Sequence, residues 1–245
     1  MTRKAGYVLA AAFVAVFCLG AALLSRSDKA GRELLCCSDV SVSLSDTLGA
    51  ATAEDLLDAL ERGYGIAVGQ RLDSILLYKV EELMLAEPAV RGCQAWTSGD
   101  GVLHLDIGNR VPVVKFTKGG KAVYADCEGF LIHPYSANPE VIEIKGILPG
   151  DADGAWVKGA VGLVDYIQEN GLWGDLVSGI TASADGDLEF SSPRGRERII
   201  FGQPENHASK FSRIEKYWSR IVPAKGNHRS VNVKFNNQII CRKDI

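Results

Sequence analysis

The chain has 245 residues, with 27 Lys and Arg against 30 Asp and Glu, for a net charge of −3. That balance excludes a strong nucleic-acid footprint, which needs a basic surplus or a basic stripe. Aromatic and aliphatic residues are spread along the whole length, so the chain reads as a folded body with room for one large or two small domains.

After Arg3 and Lys4 no charged residue occurs until Arg26. The uncharged run Ala5–Leu24 is long enough to cross a hydrocarbon core of ~30 Å as a helix, the one single-span state that satisfies its own backbone in lipid. It exceeds the ~7–15 apolar residues of a cleaved signal, and Leu23-Leu24-Ser25-Arg26 is a poor cleavage sequence. The expected organisation is a short cytoplasmic tail at 1–4, a transmembrane helix at 5–24 and a polar stalk at 25–35. Charges on the two sides of the run nearly balance. Orientation therefore rests on the usual plan of a short N-terminal span followed by an exported body, which puts the bulk outside the cytoplasm.

Beyond the stalk, Asp39 to Ser45 alternates strictly, with Val40, Val42 and Leu44 on one face, as a half-buried strand does. Thr52-Ala-Glu-Asp55 opens a helix carrying Leu56, Leu57 and Leu60 and stopping at Gly63. A second helix is predicted from Leu72 to Ala86, with Leu76, Val80, Leu83 and Met84 on its stripe and Pro88 ending it. A hairpin follows: Gly92–Thr97, the turn Ser98-Gly99-Asp100-Gly101, then Leu103, Leu105 and Ile107 on one face against Val102, His104 and Asp106. This β-α-α-β-β order predicts three strands with both helices on one face.

From Val111 onward short strands recur between turn signals: Val113–Thr117, Ala122–Asp126, Phe130–His133 and Val141–Ile144. A helix with Ala160, Leu163, Val164 and Ile167 on one stripe interrupts them and stops at Asn170-Gly171. Strands resume at Leu176–Ala182, Leu188–Ser191 and Arg198–Phe201, and a further helix covers Ala208–Ile221. The last segment sets Val231, Val233, Phe235 and Ile239 in phase against Asn232, Lys234 and Asn236, which reads as one closing edge strand. The fold class is α+β.

Chemistry is hard to find. Asp151/Asp153 and Asp185/Asp187 sit in Gly-rich turns, and position twelve counted from Asp151 is Gly162, so no EF-hand loop is formed. As turn formers they need no further role. His104, His133, His207 and His228 lack zinc-ligand spacing and read as solvent-face or loop histidines. No nucleophile elbow or phosphate cradle occurs; Gly154, Gly159 and Gly162 have the wrong spacing. Trp96, Trp156, Trp173 and Trp218 read as core or interface. Cys36, Cys37, Cys93, Cys127 and Cys241 are odd in number without a C-x-x-C, and are expected to be mostly buried free thiols. Catalytic, cofactor and metal residues are therefore expected to be none, and the chain a non-enzyme.

Several segments, in order, resemble the FtsQ/DivIB family of bacterial cell-division proteins. They are Gly69-Gln-Arg-Leu-Asp-Ser-Ile75, Glu87-Pro-Ala-Val90, Leu103–Ile107, Arg110-Val-Pro112 and Tyr124-Ala-Asp126-Cys-Glu-Gly129. Leu188, Pro193-x-Gly195, Ile199-Ile-Phe-Gly202, Lys210 and Val231–Ile239 follow. Asn109 stands where the family commonly has an acidic residue. The resemblance implies a POTRA-like domain at 36–110, a strand-rich β domain at 111–245, and a joint between domains at Arg110-Val-Pro112. It further implies a single-pass inner-membrane scaffold at the division septum. Such a scaffold binds FtsB-like and FtsL/DivIC-like membrane proteins and helps control septal peptidoglycan synthesis. On that expectation Val233, Lys234, Phe235 and Asn237 form the partner-binding set, through addition of a partner strand to the last strand. The edge at Val40–Leu44 is available to another partner. Two other readings are a different POTRA-bearing transport or assembly protein, and a periplasmic cell-wall enzyme using Asp151 and Asp153.

Overall fold

The protein is described by a computed structural model over residues 35–46, 48–193 and 197–243. The expected tail, the span at 5–24 and all but the last residue of the stalk lie outside the described residues. Among the described residues no helix is long and apolar enough to cross a membrane. The chain divides into two units. Unit 1 runs through Ser45 and resumes over Ala53–Gly108, and unit 2 comprises Asp46–Thr52 and the chain from Asn109 onward.

In unit 1 the alternating segment forms β1 (Asp39–Leu44), with Val40, Val42 and Leu44 half-buried and the residues between them exposed. Helix α1 (Ala53–Gly63) buries Leu56, Ala59 and Leu60. Helix α2 (Leu77–Leu85) buries Val80 and Met84. The hairpin is β2 (Val90–Thr97) and β3 (Val102–Asn109). The sheet order is β1-β3-β2, and β1 runs parallel to β3 with Val40 opposite Leu103, Val42 opposite Leu105 and Leu44 opposite Ile107. That register puts the apolar residues of both strands on one face. Leu103, Leu105 and Ile107 are almost fully buried, each worth roughly 1.5–3 kcal/mol of transfer energy. A parallel pair needs a long crossover, and α1, α2 and β2 supply it.

The second helix starts later than its apolar period suggests. Leu72–Ser74 is a single 3₁₀ turn, Ile75 is extended, and the N–H of Leu76 goes to the Tyr64 hydroxyl at 2.9 Å instead of into a helix. Leu76 is thereby displaced from the stripe and exposed. The outer side of β2 is partly closed, because the N–H of Ala95 donates to Glu81 of α2 at 2.8 Å.

Unit 2 is built on a nine-stranded sheet in the order β12-β11-β10-β9-β8-β7-β4-β5-β6. Its strands are β4 (Pro112–Lys118), β5 (Lys121–Asp126), β6 (Leu131–Ile132), β7 (Ile142–Lys145), β8 (Gly179–Ala182), β9 (Leu188–Ser191), β10 (Arg198–Gly202), β11 (Ser230–Asn232) and β12 (Ile240–Arg242). The pairs β4/β7, β7/β8 and β10/β11 are parallel, so the sheet is mixed. Helix α3 (Gly154–Glu169) begins where the Asp153 carboxylate accepts the N–H of Trp156 at 2.6 Å. It buries Trp156, Val157, Ala160, Val161, Leu163, Val164 and Ile167 in the core. Helix α4 (His207–Lys216) adds Phe211 and Ile214. Phe190, Phe201 and Phe211 form a cluster with ring centroids 4.6 to 5.9 Å apart.

Two expectations for unit 2 change. The helix predicted through Ile221 widens into a π-helical stretch at Tyr217–Ile221 and ends in α5 (Val222–Lys225). Pro223 has no N–H and its ring crowds the carbonyl four residues back, which a wider turn relieves. The closing segment is not one strand but the hairpin β11–β12 with a loop over 233–239. Asn232 turns its side-chain oxygen onto the N–H of Lys234 at 2.9 Å, and Asn237 adopts a left-handed φ of 61°. These asparagines make local turns that the apolar alternation conceals.

Among the described cysteines only Cys37 is buried, against the expectation of mostly buried thiols. Cys36 lies on the chain leading into β1, and Cys127 in the turn after Asp126; both are exposed. Cys93 and Cys241 are half-buried, and burial pushes both thiols up, Cys93 to about 11.

Candidate functional site

Strand β12 is the outermost strand at one end of the unit 2 sheet, antiparallel to β11 with Val231 opposite Cys241 and Asn232 opposite Ile240. β11 is itself held parallel to β10, with Ile199 opposite Val231. An outermost strand carries unpaired backbone donors and acceptors along its free side. Large apolar side chains stand in solvent here, Phe235 on the loop at 46% exposure and Ile240 on β12 at 40%.

The loop is fixed from beneath. Val233 is fully buried, its N–H donates to the carbonyl of Ile200 at 3.0 Å, and its own carbonyl accepts from Arg213 Nη2 at 2.9 Å. Arg213 is buried on α4 and also donates from Nη1 to Ser209 Oγ. Lys234 reaches back to pair with Asp187, whose other oxygen accepts from Gln203 Nε2 at 2.9 Å. Gly202 makes that reach feasible. Its φ is +80°, and a Cβ there would sit 2.6 Å from Lys234 Cγ. Lys210 is buried with its ammonium on the carbonyl of Gln203 at 2.6 Å and 4.7 Å over the Phe201 ring. Burial holds its pKa below the ordinary lysine value.

Between α4 and the loop lies a groove of about 510 Å³, lined by Ser209, Ser212, Arg213, Lys216, Ile221 and residues 237–239 of the loop. Among the described residues its lining carries two cationic side chains and no carboxylate. Of the four residues expected to meet a partner, Val233 is an internal anchor whose side chain faces the core. Lys234, Phe235 and Asn237 are exposed on the loop, and Asn237 lines the groove. Ile240 and the groove escaped sequence reasoning, because a single closing strand through Ile239 left no place for a second strand.

His228 lies on a loop, one of the two placements expected for the histidines, but it does not face solvent. It is buried against Tyr217, whose hydroxyl donates to Glu197 at 3.1 Å and accepts the N–H of His228 at 3.2 Å. This contact joins the start of β10, the π-helical stretch and the approach to β11. Trp156 is buried with its indole N–H on the carbonyl of Gly186 at 2.8 Å, whereas Trp96 is partly exposed and stacked on His104 at 3.9 Å. The acidic pairs have structural partners: Asp151 takes Lys118 at 2.8 Å and Asp153 caps α3. They share the rim of a cleft of about 430 Å³ with Asp185 and Glu205.

His207 supplies a pH dependence. Burial beside Tyr166 and Phe201 holds its imidazole below the ordinary value of 6.5. Its folded pKa is depressed, so its stabilising share is complete above pH 6.5 and is lost as pH falls through the folded pKa. The thermal unfolding midpoint of unit 2 should fall on acidification from pH 7, and His207→Gln should flatten that slope. An unchanged slope in the variant would remove His207 from the account.

The profile of the family described as "FtsQ/DivIB, C-terminal related" matches residues 111–242, more than half of the chain and nearly all of the nine-stranded unit. No curated protein matches the chain. With its strands, its hairpin edge and its Asp126 turn all inside the matched span, the chain belongs to the FtsQ/DivIB C-terminal related family, which places it among proteins of cell division.

Proposed function

We propose that the protein is a non-enzymatic, membrane-anchored scaffold of the bacterial division machinery. Residues 5–24 hold it in the inner membrane at the septum with its bulk outside the cytoplasm. Strand β12 accepts a strand from FtsB-like and FtsL/DivIC-like partners, and through them the protein helps control septal peptidoglycan synthesis. The observation that carries this is the outermost position of β12, with Phe235 and Ile240 exposed beside it and the Arg213/Lys216 groove alongside. Backbone pairing supplies affinity, and apolar side chains at alternate positions supply specificity. The groove suits an acidic flank on the incoming segment. The β-α-α-β-β order of unit 1 supports a POTRA-like domain, whose outermost β1 offers a second edge.

The test is binding of the full-length protein to the soluble segments of the FtsB-like and FtsL/DivIC-like proteins of the same organism. Phe235→Ala and Ile240→Asp should each weaken binding at least tenfold, about 1.4 kcal/mol, as exposed apolar anchors at an interface centre do. A folded parent that binds neither segment would end the proposal.

A further inference from the structure

In the segment joining α1 to α2 the small residue is inside and the large ones are outside. Ala67 is buried, while Ile66 and Val68 on either side are 67% and 49% exposed. This inverts the ordinary ranking, in which isoleucine and valine are buried ahead of alanine. Gly65 and Gly69 bracket the three with φ of +96° and +88°, conformations that only glycine adopts freely, so the backbone is shaped to turn both side chains outward. Tyr78, at the start of α2, adds another exposed ring.

The same segment receives the incoming chain. The N–H of Leu72 donates to the carbonyl of Leu35 at 3.0 Å, that of Cys37 to Gln70 at 2.7 Å, and that of Gly69 to Cys37 at 2.7 Å. Leu35 follows the uncharged run Ala5–Leu24 by eleven residues. Such a connection reaches at most about 40 Å when extended and spans about 20 Å as a coil. The exposed pair therefore sits at the pole of unit 1 from which the chain leads to the apolar run.

We infer that Ile66 and Val68 insert into the interfacial layer of the bilayer and dock unit 1 on the membrane surface. This rests on the anchoring of residues 5–24. The tether makes the contact intramolecular, so a weak apolar insertion suffices to hold it. Asp58, Glu61 and Arg62 of α1 surround a hollow beside Ile66. Two carboxylates against one guanidinium keep the insertion shallow and disfavour anionic headgroups.

The experiment places the full chain carrying Ile66→Trp in nanodiscs of phosphatidylcholine, with or without bromine on the upper acyl carbons. The parent, with its four native tryptophans, supplies the background. Ala86→Trp is the control: residue 86 is exposed and precedes β2, whose eight residues separate it by about 25 Å from the turn beside Cys36. The indole added at 66 should lose at least half its fluorescence to bromine and the one at 86 little. Adding Val68→Asp, or replacing half the lipid by phosphatidylglycerol, should reduce the quenching at 66. A chain that stays in the discs with position 66 unquenched, or with 66 and 86 quenched alike, overturns the inference and spares the anchor. A chain that does not remain with the discs overturns both.

Discussion

Replacing Asp126 by alanine should destabilise unit 2 by about 3–5 kcal/mol, the cost of breaking a buried ion pair from one side. The carboxylate is almost fully buried and both oxygens are engaged. Oδ2 accepts from Arg110 Nη1 at 2.7 Å, and Oδ1 accepts the N–H groups of Glu128 at 3.0 Å and Phe130 at 2.8 Å. The Arg110 guanidinium also lies 4.0 Å over the Phe130 ring, and its side chain is only 14% exposed. Alanine would leave two turn amides without their acceptor and the largely buried cation with the exposed Glu128 carboxylate, 3.7 Å from Nη1, at the point where β5 reverses into β6. An asparagine at the same position would keep an acceptor for the amides but not the charge, so Asp126→Asn should cost about half as much. Hydrogen exchange over β4, β5 and β6, with denaturant titration of the full chain, measures both. An alanine variant within about 1 kcal/mol of the parent would show that the Arg110 charge is met by Glu128 or water once Asp126 is gone, and would overturn this account.

That turn was legible in the sequence between the strands expected at Ala122–Asp126 and Phe130–His133, and so were the strands whose one face is buried. Val40, Val42 and Leu44, and then Leu103, Leu105 and Ile107, alternate because the register of β1 on β3 sends both sets to the same side. A period of two is a record of a buried face, and it survives wherever burial is one-sided. It misleads where the chain turns without losing apolar residues. Phe235 and Ile239 continue the phase of Val231 and Val233, yet Asn232 and Asn237 have already reversed the backbone between them. The early start assigned to α2 failed in the same way. Leu76 fits the helical stripe by spacing, but the Tyr64 hydroxyl, twelve residues away, takes its N–H. The candidate site was the least legible part, because an edge is defined by which strand stands outermost, and order within a sheet is set by long-range pairing. Lys234 could be read as an edge charge, whereas its partner Asp187, 47 positions away in the chain, could not.

Proline substitution on β12 separates folding from partner binding, and its expected effect on binding is as large as that of losing either exposed apolar anchor. Consecutive residues of a strand direct their N–H groups to opposite sides. The Arg242 backbone faces β11, its carbonyl accepting the N–H of Arg229 at 2.8 Å, so Arg242→Pro removes a bond to β11 and Cys241→Pro removes a donor from the free side. The first should loosen the hairpin, seen as faster amide exchange at Ser230–Asn232. The second should leave exchange and unfolding at the parent's level and still cut affinity for the FtsB-like segment by at least tenfold, since a strand added there would lose a backbone bond and meet the ring. Arg213→Ala offers a contrasting route to the same loss. It removes the donor to the Val233 carbonyl and a wall of the groove together, so it should lower both stability and binding. If both proline variants bind as the parent does while Arg213→Ala and Lys216→Ala do not, the partner lies in the groove and not on the strand. The edge would then be protected by its brevity, three residues, and the basic wall of α4 would be what selects the partner.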